Sequence, residues 1–320
     1  MTSYALVCDV GGTNARFALV PEGATQVEQE LTLQCADYSN IDEACRVYLD
    51  RVSVSEVSRA CLAFACPVDR EEINMTNNHW RITRAGLADV LGVNSLKIVN
   101  DFTAMALGML HVPEDERVCI NSGEFSSKPR LVIGPGTGLG VSALVPAGDG
   151  WIPLSTEGGH ISFAPVSERD VEIWRILREK FGRVSVERLL CGIGLVNIYS
   201  ALCEIEGVQQ ELFSPKEVTD AALLGEDAVA VQTLNDFCRI LGAVAGDSVL
   251  NIGALGGVYL CGGILPRMSD FLLESEFMAG FQDKGRFTSY VESVPVSLCV
   301  AENPGLLGAA AALNNANVRG

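Results

Sequence analysis

Two glycine turns have the residue types to hold a phosphate chain. The first, Gly11-Gly12-Thr13-Asn14, follows the apolar run Tyr4 to Val10, which is interrupted only by Asp9. Glycines let the backbone approach a ligand closely, so the amides of such a turn can face phosphate oxygens. The Asp9 carboxylate is a hard oxygen donor suited to Mg²⁺, usually reached through water. The same residues fit a plain hairpin turn equally well. The second turn, Gly134-Pro135-Gly136-Thr137-Gly138-Leu139-Gly140, also lies between apolar runs. Its stretch Gly138-Leu139-Gly140-Val141-Ser142-Ala143 has the spacing of a dinucleotide loop. That loop needs a helix straight after the glycines, and here strand-like residues continue to Pro146, which argues against it. The chain has no G-x-x-x-x-G-K-[ST], which excludes a P-loop.

Three further segments could handle hydroxyl groups and protons. Lys97-Ile98-Val99-Asn100-Asp101-Phe102-Thr103-Ala104 reads as a buried strand that stops at Asn-Asp as a helix begins. A carboxylate at the carboxyl end of a strand faces the crevice where open α/β sheets bind ligands. Asn and Asp are equally at home as helix caps, and the residues by themselves favour that role. Glu157-Gly158-Gly159-His160 sets an acid and an imidazole on a glycine-rich loop, either for hydroxyl recognition or as a solvated turn. Glu187 falls in the first turn after Ser185, where the helix dipole already favours an acid.

These residues must be positioned by α/β elements, because short Val, Ile and Leu runs alternate with helical patterns. Strands are expected at 4–9, 14–20, 59–65, 96–99, 130–134, 139–145, 257–261 and 295–300. Ser167-Glu168-Arg169-Asp170 resembles a capping box opening a helix that ends at Gly182, and Ser185 opens another. Asn303-Pro304 opens a last helix, with proline where its missing NH does no harm. Tyr4 to Val20 and Arg130 to Val145 share one pattern of strand, glycine turn and strand. That repetition suggests two related lobes, each offering an amide-rich turn to a shared phosphate chain.

The 320 residues suffice for two lobes that each bury a core. At 48% apolar and 20% charged the composition is globular. The 40 acidic against 23 basic residues give a formal charge of −17, and no basic run occurs, so nucleic acid and anionic membranes are excluded as partners on electrostatic grounds. An anionic nucleotide must then be held locally, by backbone amides or a metal ion. The 11 cysteines include no C-x-x-C pair, and several lie in apolar runs; reduced core residues of a cytoplasmic protein are expected. The start carries no signal-peptide pattern. The uncharged stretch from Ser248 to Pro266 reads as a helix end, a strand and a Gly-Gly turn rather than a membrane span.

Together these segments resemble the glucokinases of the bacterial hexokinase type, within the sugar kinase, heat-shock ATPase and actin superfamily, and the resemblance spans the whole chain. Cys8-Asp9-Val10-Gly11-Gly12-Thr13-Asn14-Ala15-Arg16 is similar to the first phosphate motif of that family. Gly136-Thr137-Gly138-Leu139-Gly140 is similar to the second, and Leu260-Cys261-Gly262-Gly263-Ile264 to the adenosine motif. Asn100-Asp101-Phe102-Thr103-Ala104 matches the segment whose Asp is the catalytic base and whose Asn binds the hexose. Glu157-Gly158-Gly159-His160 matches the sugar loop, and Glu187 falls where the family has a further sugar-binding acid. Ala65-Cys66-Pro67 and Met75-Thr76-Asn77 resemble segments bordering the cleft. Asp283-Lys284-Gly285-Arg286-Phe287 also looks familial, without a chemical role. Cys8 stands where the family has Gly and Pro135 where Ala is common, and both bear on nucleotide-loop geometry. Related kinases and repressors carry a zinc-binding cysteine cluster after the Gly-His step; here no cysteine follows His160 before Cys191, so zinc is not expected.

The resemblance implies a two-lobed α/β actin-like ATPase fold, ribonuclease H-like, with a cleft between a small lobe (1–110 plus 301–320) and a large lobe (111–300). It implies ATP-dependent phosphorylation of glucose to glucose 6-phosphate at the head of glycolysis. Mg²⁺ near Asp9 and the two turns would hold ATP, with Thr137 and Gly138 at its transferring end. Asp101 would take the proton of the 6-hydroxyl, while Asn100, Gly138, Glu157, His160 and Glu187 would hold the sugar. A homodimer is expected by family analogy. Mannose, N-acetylglucosamine or fructose as acceptor would keep the same motifs. A sugar-sensing repressor would need a basic module ahead of the first strand, which here begins by Tyr4. A filament or chaperone ATPase would not need Asp101 together with the Glu157 and His160 loop.

Overall fold

The computed structural model describes residues 3–24, 26–75 and 78–318. Thr76 and Asn77, of the segment Met75-Thr76-Asn77, lie outside the described residues. The chain divides into two compact units, 1–114 with 144–155 and 301–320, and 115–143 with 156–300.

In the first unit, β1 (Tyr4–Val10), β2 (Asn14–Pro21), β3 (Glu28–Gln34), β4 (Arg59–Phe64) and β7 (Leu96–Asn100) form a sheet in the order β3-β2-β1-β4-β7. A small hairpin of β5 (Glu72–Asn74) and β6 (Arg81–Thr83) accompanies it, with α1 (Ile41–Arg51), α2 (Arg84–Leu91) and α3 (Asp101–Gly108). β1 pairs antiparallel with β2, from Tyr4–Pro21 to Val10–Ala15, and parallel with β4. Leu6, Cys8 and Val10 enter one core with Phe17, Leu19 and Leu62, and Phe17 stacks on Tyr48 of α1 at 5.1 Å. Ala5 and Val7, of the opposite face, are buried as well. A strand buried on both faces reads as a continuous apolar run, which is why β1 and β4 stand out in the sequence.

The second sheet runs β11-β10-β9-β12-β13-β8, from β8 (Arg117–Asn121), β9 (Arg130–Pro135), β10 (Leu139–Ala147), β11 (Gly150–Ser155), β12 (Val258–Leu260) and β13 (Val296–Cys299). β12 is parallel to both β9 and β13. The order β11-β10-β9-β12-β13 thus repeats the first unit's β3-β2-β1-β4-β7. The helices are α4 (Glu168–Phe181), α5 (Gly192–Glu206), α6 (Pro215–Leu224), α7 (Ala228–Ile252), α8 (Ser269–Glu274), α9 (Phe277–Gln282) and α10 (Thr288–Val291). Ser167 and Asp170 form the expected capping box on α4, and Gly182 ends it. The chain closes with α11 (Pro304–Asn314) in the first unit.

All eight expected strands are present, with ends within two residues of the expected ones. The helix expected from Ser185 is a single 3₁₀ turn, Val186–Arg188, without a side-chain cap, and α5 starts only at Gly192. One turn has little dipole, so the dipole does not account for Glu187. Ten of the eleven cysteines are buried and Cys119 is exposed. Among the described residues no helix is long and apolar enough to cross a membrane.

Two contacts set the helix that begins at Asp101. α11 lies against α3 so closely that a Cβ on Gly308 would stand 1.6 Å from the carbonyl oxygen of Ala104, and one on Gly108 would stand 2.0 Å from that of Pro304. Only glycine at both positions permits this approach. Lys97 of β7 then donates from Nζ to the carbonyls of Ala312 and Asn315, 2.8 Å each, at the carboxyl end of α11, where a cation is favoured.

In the second unit Asp170 is wholly buried and receives the Arg239 guanidinium and the amides of Val166 and Ser167. Burial alone would raise its pKa; Arg239 and the two amides outweigh it and hold the carboxyl below the usual range.

Candidate active site

The first turn closes with Gly11 NH donating to the Asn14 carbonyl at 2.9 Å, leaving Gly12 and Thr13 at its apex. Around it, Cys35 NH reaches the Thr13 carbonyl at 2.8 Å, and Gln34 Nε2 donates to Asn14 Oδ1 at 2.6 Å. Cys8 and Val10 direct their side chains into the core, so only their backbones are available to a nucleotide. The Cys8 thiol is pushed well up, first by burial and then by its acidic neighbours.

Asp9, on the opposite face of β1, is held 3.5 Å from Arg16 Nη1 across the hairpin. Its carboxylate also lies at the start of α11, where a Cβ on Gly305 would come within 2.9 Å of Asp9 Oδ2. Burial raises the Asp9 pKa and Arg16 opposes that rise. The amino end of a helix favours an anion there too. A carboxylate with Arg16 and a helix amino end beside it is a suitable hard donor for Mg²⁺.

Asn100 caps α3, its Oδ1 accepting from the amides of Phe102 at 3.0 Å and Thr103 at 3.2 Å. Asp101 is the first helical residue. Its Oδ1 accepts from Phe102 NH at 2.8 Å and from Asn100 Nδ2 at 2.9 Å. Asn100 therefore takes the capping role and leaves Asp101 oriented by its neighbour's amide, an arrangement that the Asn-Asp pair alone does not distinguish from an aspartate cap.

In the second unit four predicted residues come together around the start of β10. Gly136 NH donates to the Gly138 carbonyl at 2.7 Å, and the Gly136 carbonyl accepts from Gly192 NH at 2.8 Å. The second turn, with Thr137 at its apex, is thereby tied to the amino end of the 15-residue α5, a location that favours anions. Glu187 Oε2 accepts from Leu139 NH at 2.8 Å, and its Oε1 lies 3.8 Å from His160 Nδ1. His160 Nε2 lies 3.9 Å from Glu157 Oε2. Glu157, His160 and Glu187 thus form one polar cluster beside Gly138. Glu157 and His160 are well exposed, so little burial has to be offset before a ligand arrives.

The two glycines of the sugar loop explain how it reaches this position. A Cβ on Gly159 would stand 2.3 Å from the Leu139 carbonyl oxygen, and one on Gly158 would meet the Val141 side chain at 2.8 Å. The loop therefore lies flat on β10, the strand that leaves the second glycine turn. Thr156 and Arg183, neither singled out by the sequence, fasten it. Thr156 Oγ1 donates to the Val141 carbonyl at 2.6 Å and accepts from Gly158 NH at 3.3 Å. Arg183 Nη2 donates to the His160 carbonyl at 2.7 Å. Thr156 sits directly before Glu157, but a threonine at a strand end carries no visible signal, and Arg183 is too far along the chain to suggest its target.

The adenosine motif adjoins the second turn, with a Cβ on Gly262 placed 2.4 Å from the Pro135 carbonyl oxygen, whereas Gly263 faces open space. The segment Asp283 to Phe287 is an exposed loop apart from Lys284, whose side chain is nearly buried with its Nζ 3.1 Å from Asp247 Oδ1 of α7.

A family model described as glucokinase matches residues 6–316. A glucokinase of Hahella chejuensis (strain KCTC 2396) is 53% identical over 316 residues, spanning 98% of this chain and 98% of that protein. One from Marinobacter nauticus (strain ATCC 700491 / DSM 11845 / VT8) is 50% identical over 316 residues, with the same coverage. The crystal structure of a glucokinase from an Antarctic psychrotroph is similar at a TM-score of 0.90 and 37% identity, covering 99% of this chain and 100% of that one. The mixed α/β architecture of two sheets is shared across that full length. With a family model matched over residues 6–316, about half its residues shared with two glucokinases and its fold shared with a third, the chain belongs to the glucokinase family.

Proposed function

We propose how this kinase of glucose divides the reaction among its residues. Phosphoryl transfer asks a protein mainly for positioning and for stabilisation of charge. ATP arrives with Mg²⁺, which neutralises phosphate charge when bound; Asp9 is the residue that would hold it. The amides of the first turn (Gly11, Gly12, Thr13 and Asn14, with the backbones of Cys8 and Val10) and of the second turn (Thr137, Gly138) cradle the phosphates. Gly262 and Gly263 border the adenosine.

Asp101 takes the proton from the sugar 6-hydroxyl as that oxygen attacks, and Asn100 keeps its carboxylate aimed while contacting the sugar. Glu157, His160 and Glu187 hold the remaining hydroxyls. The observation that carries this reading is the cluster of two carboxylates and an imidazole assembled on the strand that leaves the second phosphate turn. The cluster is joined to the end of the second turn by one hydrogen bond, from Leu139 NH to Glu187 Oε2. Such groups are left unpaired when a hydroxyl is missing or inverted, at about 1–3 kcal/mol for each mismatch.

A coupled assay of ADP release at fixed Mg-ATP tests this across glucose, mannose, fructose, galactose and N-acetylglucosamine. Several mismatches together approach the roughly 10⁴-fold discrimination of hydrogen-bonding sites, so kcat/KM is expected to be well above the others for glucose. Equal use of mannose or N-acetylglucosamine would make the chain a broader hexokinase. Efficient use of polyphosphate in place of ATP would overturn the donor assignment. The cytoplasmic location, the absence of zinc and a homodimeric state belong to the same family reading.

A further inference from the structure

Glu187 faces two ways. Its Oε2 occupies the amide of Leu139, at 2.8 Å, in the turn assigned to the phosphates, while Oε1 looks toward His160 at 3.8 Å among the groups assigned to the sugar. The contact is tight, since a Cβ on Gly138 would stand 2.5 Å from the same Oε2. The side chain is about 29% exposed, so its charge is only partly screened by water. A carboxylate here engages a phosphate-turn amide in the manner of a phosphate oxygen, and it presents negative charge to an anionic ligand that must come to that turn.

We propose that Glu187 makes nucleotide binding depend on the sugar. Without sugar, the carboxylate repels the incoming phosphates and engages one amide of the turn. Sugar hydroxyls that donate to Oε1 disperse that charge and weaken both effects, so the nucleotide binds more tightly once the sugar is in place. The linkage is reciprocal: the nucleotide tightens sugar binding by the same factor. A unit charge a few ångströms from a phosphate at a partly exposed site is worth about tenfold or more in affinity. The proposal rests on the reading of the second turn as a phosphate site and adds a role for Glu187 beyond contacting the sugar.

The test is titration calorimetry of the non-hydrolysable ATP analogue AMPPNP with Mg²⁺, with and without saturating glucose, on the parent protein and on Glu187→Gln. The glutamine keeps an oxygen for Leu139 NH, removes the charge and turns the group facing His160 into an NH₂ donor, so glucose is added at a concentration shown to saturate the variant. In the parent, glucose is expected to tighten AMPPNP by about 5- to 50-fold, within the usual range of coupling between sites. In Glu187→Gln the sugar-free affinity should rise toward the parent's glucose-bound value, and the effect of glucose should shrink to less than about twofold.

An unchanged or weaker sugar-free affinity in the variant would overturn the proposal and leave Glu187 as a sugar contact alone. A parent protein that binds AMPPNP equally with and without glucose would overturn it without any variant, should Glu187→Gln fail to fold. No AMPPNP binding by the parent under either condition would refute instead the assignment of the turn to phosphate.

Discussion

Replacing Gly308 by alanine adds one methyl group and should damage both stability and catalysis. The new Cβ would lie 1.6 Å from the Ala104 carbonyl oxygen, 2.4 Å from its carbon and 2.9 Å from the Gly108 amide nitrogen. Carbon contacts settle near 3.5 Å or beyond, so α11 must retreat from α3 by roughly 2 Å. A gap of 0.5–1 Å already forfeits about a quarter to a half of each dispersion contact. Leu306, Ala309, Ala310 and Ala312, all buried on α11, lose neighbours together. Overpacking usually costs about 1–3 kcal/mol, and a backbone clash between two helices belongs at the top of that range or above it. Because α3 begins at Asp101, the retreat also shifts the proposed base, and a displacement of about 1 Å can lower the rate about 10²-fold. Chemical denaturation and kcat should be measured on Gly308→Ala and on Ala311→Gly, a comparator in the same helix expected to cost only about 1 kcal/mol. If Gly308→Ala lost no more stability than the comparator and kept its kcat, the close approach of α3 and α11 would not matter to the protein.

Asp101→Asn should lower kcat by about 10²–10⁴-fold while glucose still binds, and near-normal turnover would reduce Asp101 to a structural residue at the start of α3. Asp170→Asn should destabilise the protein by about 3–5 kcal/mol, because it leaves the Arg239 charge buried with one partner fewer. The Asp170 pKa is lowered in the fold, so its contribution is complete above the unfolded value near about 3.9 and is lost as pH falls through the folded value below that. Denaturation between about pH 5 and pH 2 should therefore show a steeper acid-side loss in the parent than in Asp170→Asn, and equal slopes would refute the assignment.

The interior of each sheet was legible in the sequence, as was the edge strand β7, and the other margins were not. The strands that went unread, apart from the small β5–β6 hairpin, are β3, β8 and β11, and each is an edge. β3, Glu-Gln-Glu-Leu-Thr-Leu-Gln, pairs only with β2, is mostly exposed, and carries a register shift opposite Phe17 and Leu19. β11 contains Pro153, which a central strand excludes and an edge tolerates. Strand patterns come from burial, and an edge strand with one solvated side leaves too few apolar positions to count. The helix start expected from Ser185 was misread for a related reason. A run opening with Ser185 and followed by an acid looks like a helix start, but the helix begins only at Gly192, and the Glu187 carboxylate is committed to Leu139, distant in sequence.

Each glycine turn also illustrates what a local pattern cannot contain. Strand, glycine turn and strand can be read twice along the chain, and as an isolated hairpin either copy would be an ordinary turn. In the fold, a helix amino end supplied from far along the chain is hydrogen-bonded to the second turn, and another lies beside the aspartate that precedes the first. Asp9, at the foot of the first turn, lies against Gly305 at the start of α11, and the Gly136 carbonyl of the second accepts from Gly192 at the start of α5. A helix amino end adds fixed positive potential that a hairpin lacks, and it does so without a basic side chain. On the proposed function, a chain with a formal charge of −17 and no basic run holds phosphate through the tertiary placement of backbone dipoles rather than through the composition of the loops.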